Sequence, residues 1–251
     1  MMPDNLDSQA LLGSDRRRLL TLAATLLACS SCTTTTPQAR NTANVDALPA
    51  AVSAPFHFER QAATCSHPGN DTLTSVVRVA SADGADASGV VIAPNRVLTA
   101  AHVVEDFINA SVFINGAYRD ARVIARDERN DLALLWTETQ DLLPIRISSS
   151  HLFSSEPVWT VGFPLAREQT ANYGRYQQHI DGAIHTTAGT NAGASGGGLL
   201  RCSRGAFELA GMIRGYGAYW QSGELRRIED LSISVPADTI STFANSAGLS
   251  L

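Results

Sequence analysis

Residues 88–104 read SGVVIAPNRVLTAAHVV, two short apolar runs parted by Pro94-Asn95 and closed by small residues and a histidine. The run at 89–93 is glycine followed by β-branched and apolar residues, the composition of a buried strand, and Pro94-Asn95 is a turn signal. The second run, 97–99, ends in small residues and then presents His102. The same texture continues in both directions. Residues 74–79 (TSVVRV), 111–114 (SVFI), 121–125 (ARVIA), 132–136 (LALLW) and 157–161 (PVWTV) each read as a strand, with Asn115-Gly116 and residues 127–130 as turns between them. Residues 198–200, 207–213 and 231–235 repeat the pattern. Only residues 236–247 read as a helix, with Pro236 at the start and Ile240, Phe243 and Ala244 at helical spacing. Short strands at a spacing of roughly 8–12 residues predict an all-β sandwich or barrel, to which one terminal helix is an addition.

Composition narrows the function. The chain has 251 residues, 44% hydrophobic and 17% charged, which suits one large or two small globular domains. A net charge of −5 argues against nucleic-acid binding. All 19 basic residues are arginine, and the absence of lysine excludes a Walker A phosphate loop, a pyridoxal Schiff base and a Ser-Lys dyad.

The N-terminus reads as an address. Arg16, Arg17 and Arg18 precede ten residues of signal-core character at 19–28, too short to span a bilayer. The following Leu26-Leu27-Ala28-Cys29 resembles the bacterial lipobox, which implies acylation of Cys29 and a signal peptide at 1–28. Residues 15–20 also resemble a twin-arginine signal, with Asp15 where Ser or Thr is usual. A plain cleaved signal peptide and an unprocessed apolar tail are the alternatives. Cys29 and Cys32 form a C-x-x-C, but its place beside a signal core and a Ser/Thr run weighs against a redox motif. Residues 29–55, rich in Ser, Thr, Ala, Asn and Pro, read as a flexible tether, leaving 56–251 as the folded domain. The expectation is an exported protein of the periplasm or cell envelope that meets the membrane through an N-terminal lipid. Oxidising export favours a disulfide between Cys65 and Cys202, the only cysteines inside the domain; two buried thiols are the alternative.

The chemistry concentrates at three points. Gly193-Ala194-Ser195-Gly196-Gly197 sets a serine among residues small enough for tight turns, so that the amides of Gly193 and Ser195 can converge as an oxyanion hole requires. A glycine-rich surface loop is the bland reading. The same pentapeptide fits G-x-S-x-G, but an α/β-hydrolase needs its histidine after the serine, and the last histidine here is His185. His102, between apolar residues, has the setting of a general base, although a lone histidine is more often structural. Asp131 opens an apolar strand, where an unpaired carboxylate is costly; His102 is its natural partner, and capping of its own turn is the alternative.

In the order His, Asp, Ser, the segments TAAHVV (99–104), RNDLALL (129–135) and GASGG (193–197) resemble the chymotrypsin-like serine proteases, the bacterial HtrA (Deg) type most closely. The likeness extends through VWTVGFP (158–164), residues 180–200 and ISVPADTI (233–240), covering about residues 70–247. The resemblance implies two six-stranded antiparallel β-barrels with a short C-terminal helix, and a catalytic triad of His102, Asp131 and Ser195 in the cleft between them. Gly193 and Ser195 would supply the oxyanion hole, the substrates would be peptides or proteins, and no metal or organic cofactor is implied. The chain departs from the pattern at Ala194, where Asn or Asp is usual, at Gly198, where Pro is common, and in the short stretch before the serine loop. With the sequence ending at Leu251, no PDZ domain is expected. The primary pocket is expected beside Ala188-Gly189-Thr190 and residues 211–216; since 188–190 carry no acid, a preference for small or medium apolar side chains is predicted, with Arg214 unplaced. A catalytically silent binding or chaperone module and an esterase using the same triad are the competing readings.

Overall fold

The computed structural model describes residues 65–249, so the signal peptide, the lipidation at Cys29 and the tether at 29–55 lie outside the described residues. Among these residues twelve strands close two antiparallel barrels. The first contains β1 (Val76–Ser81), β2 (Asp86–Ala93), β3 (Arg96–Thr99), β4 (Asn109–Ile114), β5 (Ala117–Asp127) and β6 (Leu132–Trp136), in the order β1-β2-β3-β6-β5-β4. The second contains β7 (Pro157–Gly162), β8 (Thr170–Ile180), β9 (Ala183–Thr186), β10 (Gly198–Ser203), β11 (Ala206–Gln221) and β12 (Glu224–Pro236), in the order β10-β11-β12-β9-β8-β7. The expected fold of two six-stranded barrels is thus present.

Four hairpins turn on two residues of positive φ, the second always glycine: Asn115-Gly116, Asp181-Gly182, Arg204-Gly205 and Ser222-Gly223. Positive φ at both central positions matches the right-handed twist of the flanking strands, so these dipeptides set the registers Ile114↔Ala117, Ile180↔Ala183, Ser203↔Ala206 and Gln221↔Glu224.

The first barrel is filled by Val79, Val90, Val97, Leu98, Leu132, Leu134 and Leu135, and the second carries Val158, Ile184, Leu199 and Ala210 at its centre. Trp159 packs edge-on against Tyr173 and Phe207, with ring centroids 5.3 and 5.2 Å away. Helices α1 (Asn70–Leu73) and α2 (Ala101–Val104) are single turns, and helix α3 (Ala237–Ser246) follows Pro236 and buries Ile240, Phe243 and Ala244, one face of a 3.6-residue repeat. The Cys65 and Cys202 sulfurs stand 2.00 Å apart as a disulfide, tying the segment before the first barrel to β10.

Two strands and part of a hairpin differ from the expectation. Strands β8 and β9 fall where the residues alone predict no strand, and β11 and β12 run past the barrel as an exposed hairpin carrying Tyr219, Trp220 and Leu225. Both β8 and the hairpin are largely solvated and have little apolar alternation to betray them.

Candidate active site

His102 lies in α2 (Ala101–Val104), a single turn directly after β3, and Asp131 stands just ahead of β6. The pairing of β3 with β6 brings the two together, since Thr99 lies opposite Ala133. Asp131 then holds the turn at three points. Its carbonyl accepts the Ala101 N–H at 3.1 Å. Its Oδ1 accepts the His102 backbone N–H at 2.9 Å. The His102 Nδ1–H donates to the same carboxylate, 2.8 Å from Oδ2 and 3.0 Å from Oδ1. With Nδ1 as donor, Nε2 carries the lone pair and is the proton acceptor of the ring. Asp131 is 6% exposed and has φ +58°, a conformation that Asp tolerates better than most residues.

Ser195 sits in a loop pinned across the cleft. The Gly196 N–H donates to Ile213 C=O at 2.8 Å, and the Ile213 N–H to Gly197 C=O at 2.7 Å, fastening the loop to β11. The Ser88 N–H of β2 donates to Ser195 C=O at 2.9 Å, fastening it to the first barrel. A Cβ on Gly196, at φ +84°, would lie 2.1 Å from Ser88 O and 2.4 Å from Thr99 Oγ1, so only glycine fits there. Among the described residues, the Gly193 and Ser195 N–H groups have no protein acceptor.

His102 and Asp131 thus pair on the first barrel, and the Ser195 loop is fastened to that barrel through Ser88. Ser195 Oγ donates to Arg214 C=O at 3.5 Å and makes no hydrogen bond with His102 among the described residues.

Arg214, which sequence reasoning left unplaced, reaches back to the acid: its Nε is 3.6 Å from Asp131 Oδ2, and its side chain is half-exposed. Residues 188–190 carry no acid of their own, but the fold sets acidic residues from elsewhere in the chain beside them. Gly189 abuts the Glu229 carbonyl, Thr190 C=O accepts Arg227 Nη1 at 2.8 Å, and a cavity of about 610 Å³ there is lined by Arg227, Glu229 and Asp230. These charges come from β12, some forty residues downstream, where a local reading of 188–190 does not look. Among the described residues no three His, Cys, Asp or Glu side chains cluster closely enough to hold a metal ion.

Comparison with known proteins agrees with this fold. The family model of a trypsin-like peptidase domain matches residues 87–211. The crystal structure of the M. tuberculosis Rv3671c protease in its active form aligns with a TM-score of 0.60 at 21% identity, over 72% of this chain and 83% of that one. The inactive form of the Rv3671c protease gives 0.59 at 23% identity, over 71% and 91%. The serine endoprotease from Yersinia pestis gives 0.59 at 22% identity, over 72% and 67%. No curated protein sequence matches the chain. At such identities the structural likeness speaks for the fold alone, and it is the family match, running across His102, Asp131 and Ser195, that makes residues 87–211 similar to a trypsin-like peptidase domain.

Proposed function

We propose that this protein is an exported serine endopeptidase of the HtrA (Deg) type, acting through His102, Asp131 and Ser195 and an acyl-enzyme intermediate. The observation that carries the reading is the double hold of Asp131 on His102, which leaves Nε2 as acceptor beside a serine loop with two unengaged N–H groups. After rotating from the Arg214 carbonyl, Ser195 Oγ attacks the peptide carbonyl carbon while His102 Nε2 takes its proton. Asp131 stabilises the imidazolium that forms, and the Gly193 and Ser195 N–H groups receive the oxyanion. Collapse breaks the C–N bond, and the imidazolium protonates the departing amine. Water, deprotonated by the same imidazole, then cleaves the acyl ester and restores Ser195.

Export rests on the sequence: the arginine run, the signal core at 19–28 within a signal peptide at 1–28, and the lipobox imply a lipid on Cys29, with 29–55 as tether and 56–251 as the catalytic domain. The destination is the periplasm or cell envelope, with peptide or protein substrates. Mass spectrometry of the mature N-terminus is expected to find acylated Cys29; an intact Met1, or a start beyond Cys29, refutes the anchor.

A fluorophosphonate, followed by peptide mapping, tests the chemistry. Label is expected on Ser195 and is lost in Ser195→Ala and His102→Ala. Label elsewhere, or wild-type turnover in folded Ser195→Ala protein, overturns the triad assignment. Ester and protein substrates assayed side by side separate a protease from an esterase. Absence of label and of all hydrolysis indicates a silent binding module.

A further inference from the structure

The geometry points to Ser88 as a positioning residue for the oxyanion site, an inference that rests on the endopeptidase reading above. Four consecutive peptide planes run from Ala192 to Gly196, and each is held. In the first, Ala192 C=O accepts the Leu165 N–H at 2.7 Å. In the second, Gly193 C=O accepts Ser88 Oγ–H at 2.8 Å and the Ala194 N–H donates to Asn191 C=O at 3.1 Å. In the third, Ala194 C=O accepts the Gly197 N–H at 2.9 Å. In the fourth, Ser195 C=O accepts the Ser88 N–H at 2.9 Å and the Gly196 N–H donates to Ile213 C=O at 2.8 Å.

A trans peptide is planar, with N–H opposite C=O. Holding the first and third carbonyls therefore aims the Gly193 and Ser195 N–H groups the other way, where neither has a protein acceptor among the described residues. The two planes that Ser88 holds are the second and the fourth, next to each of those that carry a free donor.

The hydroxyl does more than hold one carbonyl. Ser88 Oγ also accepts the Phe163 N–H at 2.9 Å, so the same atom fixes the segment whose Leu165 N–H restrains Ala192. Ser88 is fully buried, and its own carbonyl accepts Thr99 Oγ1–H at 2.7 Å, so it is itself set firmly in the first barrel. Such a lock is needed because Gly193, at φ +88°, has no Cβ to resist reorientation of its flanking planes. Ser88 thus makes the donor pair of the second barrel depend on the first.

The test compares the mature wild-type protein with Ser88→Ala, using a chromogenic peptide and the corresponding peptidyl aldehyde, whose hemiacetal oxygen occupies the oxyanion position. One direct oxyanion donor is worth ~10²–10³ in kcat, so loss of a group that aims two donors is expected to lower kcat about 10- to 100-fold. KM is expected to stay near the wild-type value, and the aldehyde Ki to rise in step with the fall in kcat/KM. A merely structural role would lower the melting temperature without this parallel. If Ser88→Ala does not fold, Ser88→Cys, whose thiol bonds more weakly, is expected to show the same pattern at smaller amplitude. Unchanged kcat and aldehyde affinity in a folded variant, or a rise in KM alone, overturns the role of Ser88 and leaves the endopeptidase reading standing. A wild-type protein that neither turns over nor binds the aldehyde overturns that reading, and this one with it.

Discussion

Replacing Asp131 by Asn isolates what the carboxylate contributes to His102. The substitution is conformationally mild. Asn accepts φ +58° about as well as Asp, and the backbone carbonyl that takes the Ala101 N–H is untouched, so α2 keeps its place on β6. The Asn oxygen can still accept the His102 backbone N–H now held at 2.9 Å. The amide nitrogen is then left facing Nδ1, as a donor against a donor. The ring escapes by moving its proton to Nε2, the nitrogen that must accept from Ser195, and the base is lost while its position is kept. For such a tautomer change the serine-protease template gives a loss of about 10⁴-fold in kcat, or about 5.4 kcal/mol at ~1.36 kcal/mol per decade. Giving up the half-exposed contact with Arg214, at 3.6 Å, adds at most about 1 kcal/mol of stability loss. Steady-state turnover of a chromogenic peptide, with thermal melting alongside, reads both quantities. A folded Asp131→Asn protein that keeps a tenth or more of the wild-type kcat refutes the reasoning. So does a collapse in melting temperature, since the lost rate would then report lost structure. Asp131→Ala provides the contrast, because a side chain without a polar group is strained at positive φ and leaves the His102 backbone N–H without its carboxylate acceptor.

The remaining expectations are smaller. Arg214→Ala keeps the backbone carbonyl facing Ser195 and removes one half-exposed ion pair worth about 0–1 kcal/mol, so kcat/KM is expected to change less than about fivefold; a change of tenfold or more assigns Arg214 a direct role. Cys202→Ala opens a disulfide of sequence separation 137, which the chain-entropy model values at about 5 kcal/mol. Melting of wild type with and without reductant, beside the variant, checks it, and identical curves refute it. The Asn130 side chain, ahead of the Asn130 and Arg129 amides, holds the Asp127 carboxyl below the usual carboxylate range. A depressed folded-state pKa stabilises above the unfolded value, about 3.9, and that contribution is lost as pH falls through the folded value. Asp127→Asn is therefore expected to flatten the acid limb of the stability curve below about pH 4, read by urea titration across pH; an unchanged limb refutes it.

How legible each element was in the sequence follows from its burial. Strands β2, β3 and β6 are buried along nearly their whole length and read as apolar runs. Strand β8, TANYGRYQQHI, has a single buried residue, Gly174, and its register comes from its neighbours, with Tyr173 opposite Trp159 and His179 opposite Ile184. Nothing in its own residues demands a strand, so tertiary pairing decides. Asp181-Gly182 is a strong local hairpin signal and was available to find β8 and β9.

The candidate site divides in the same way. His102, Asp131 and Ser195 are each announced by short local motifs, because their chemistry lies in their side chains. The groups that orient them act through backbone atoms, or reach across the barrels from positions whose neighbours in sequence say nothing of the contact. Ser88 meets Gly193 over a separation of 105 residues, and in sequence it is an ordinary polar residue at the edge of a strand. The run Gly196-Gly197-Gly198 is the readable half of this junction. Gly196 exists as glycine because Ser88 O and Thr99 Oγ1 occupy the space of a side chain, and Gly197 because Val161 O does, 2.4 Å from where its Cβ would be. A glycine cluster beside a nucleophile therefore records how closely another backbone approaches, while leaving the partner unnamed. Only the register of β2 against the loop, set by the closure of both barrels, identifies it as Ser88.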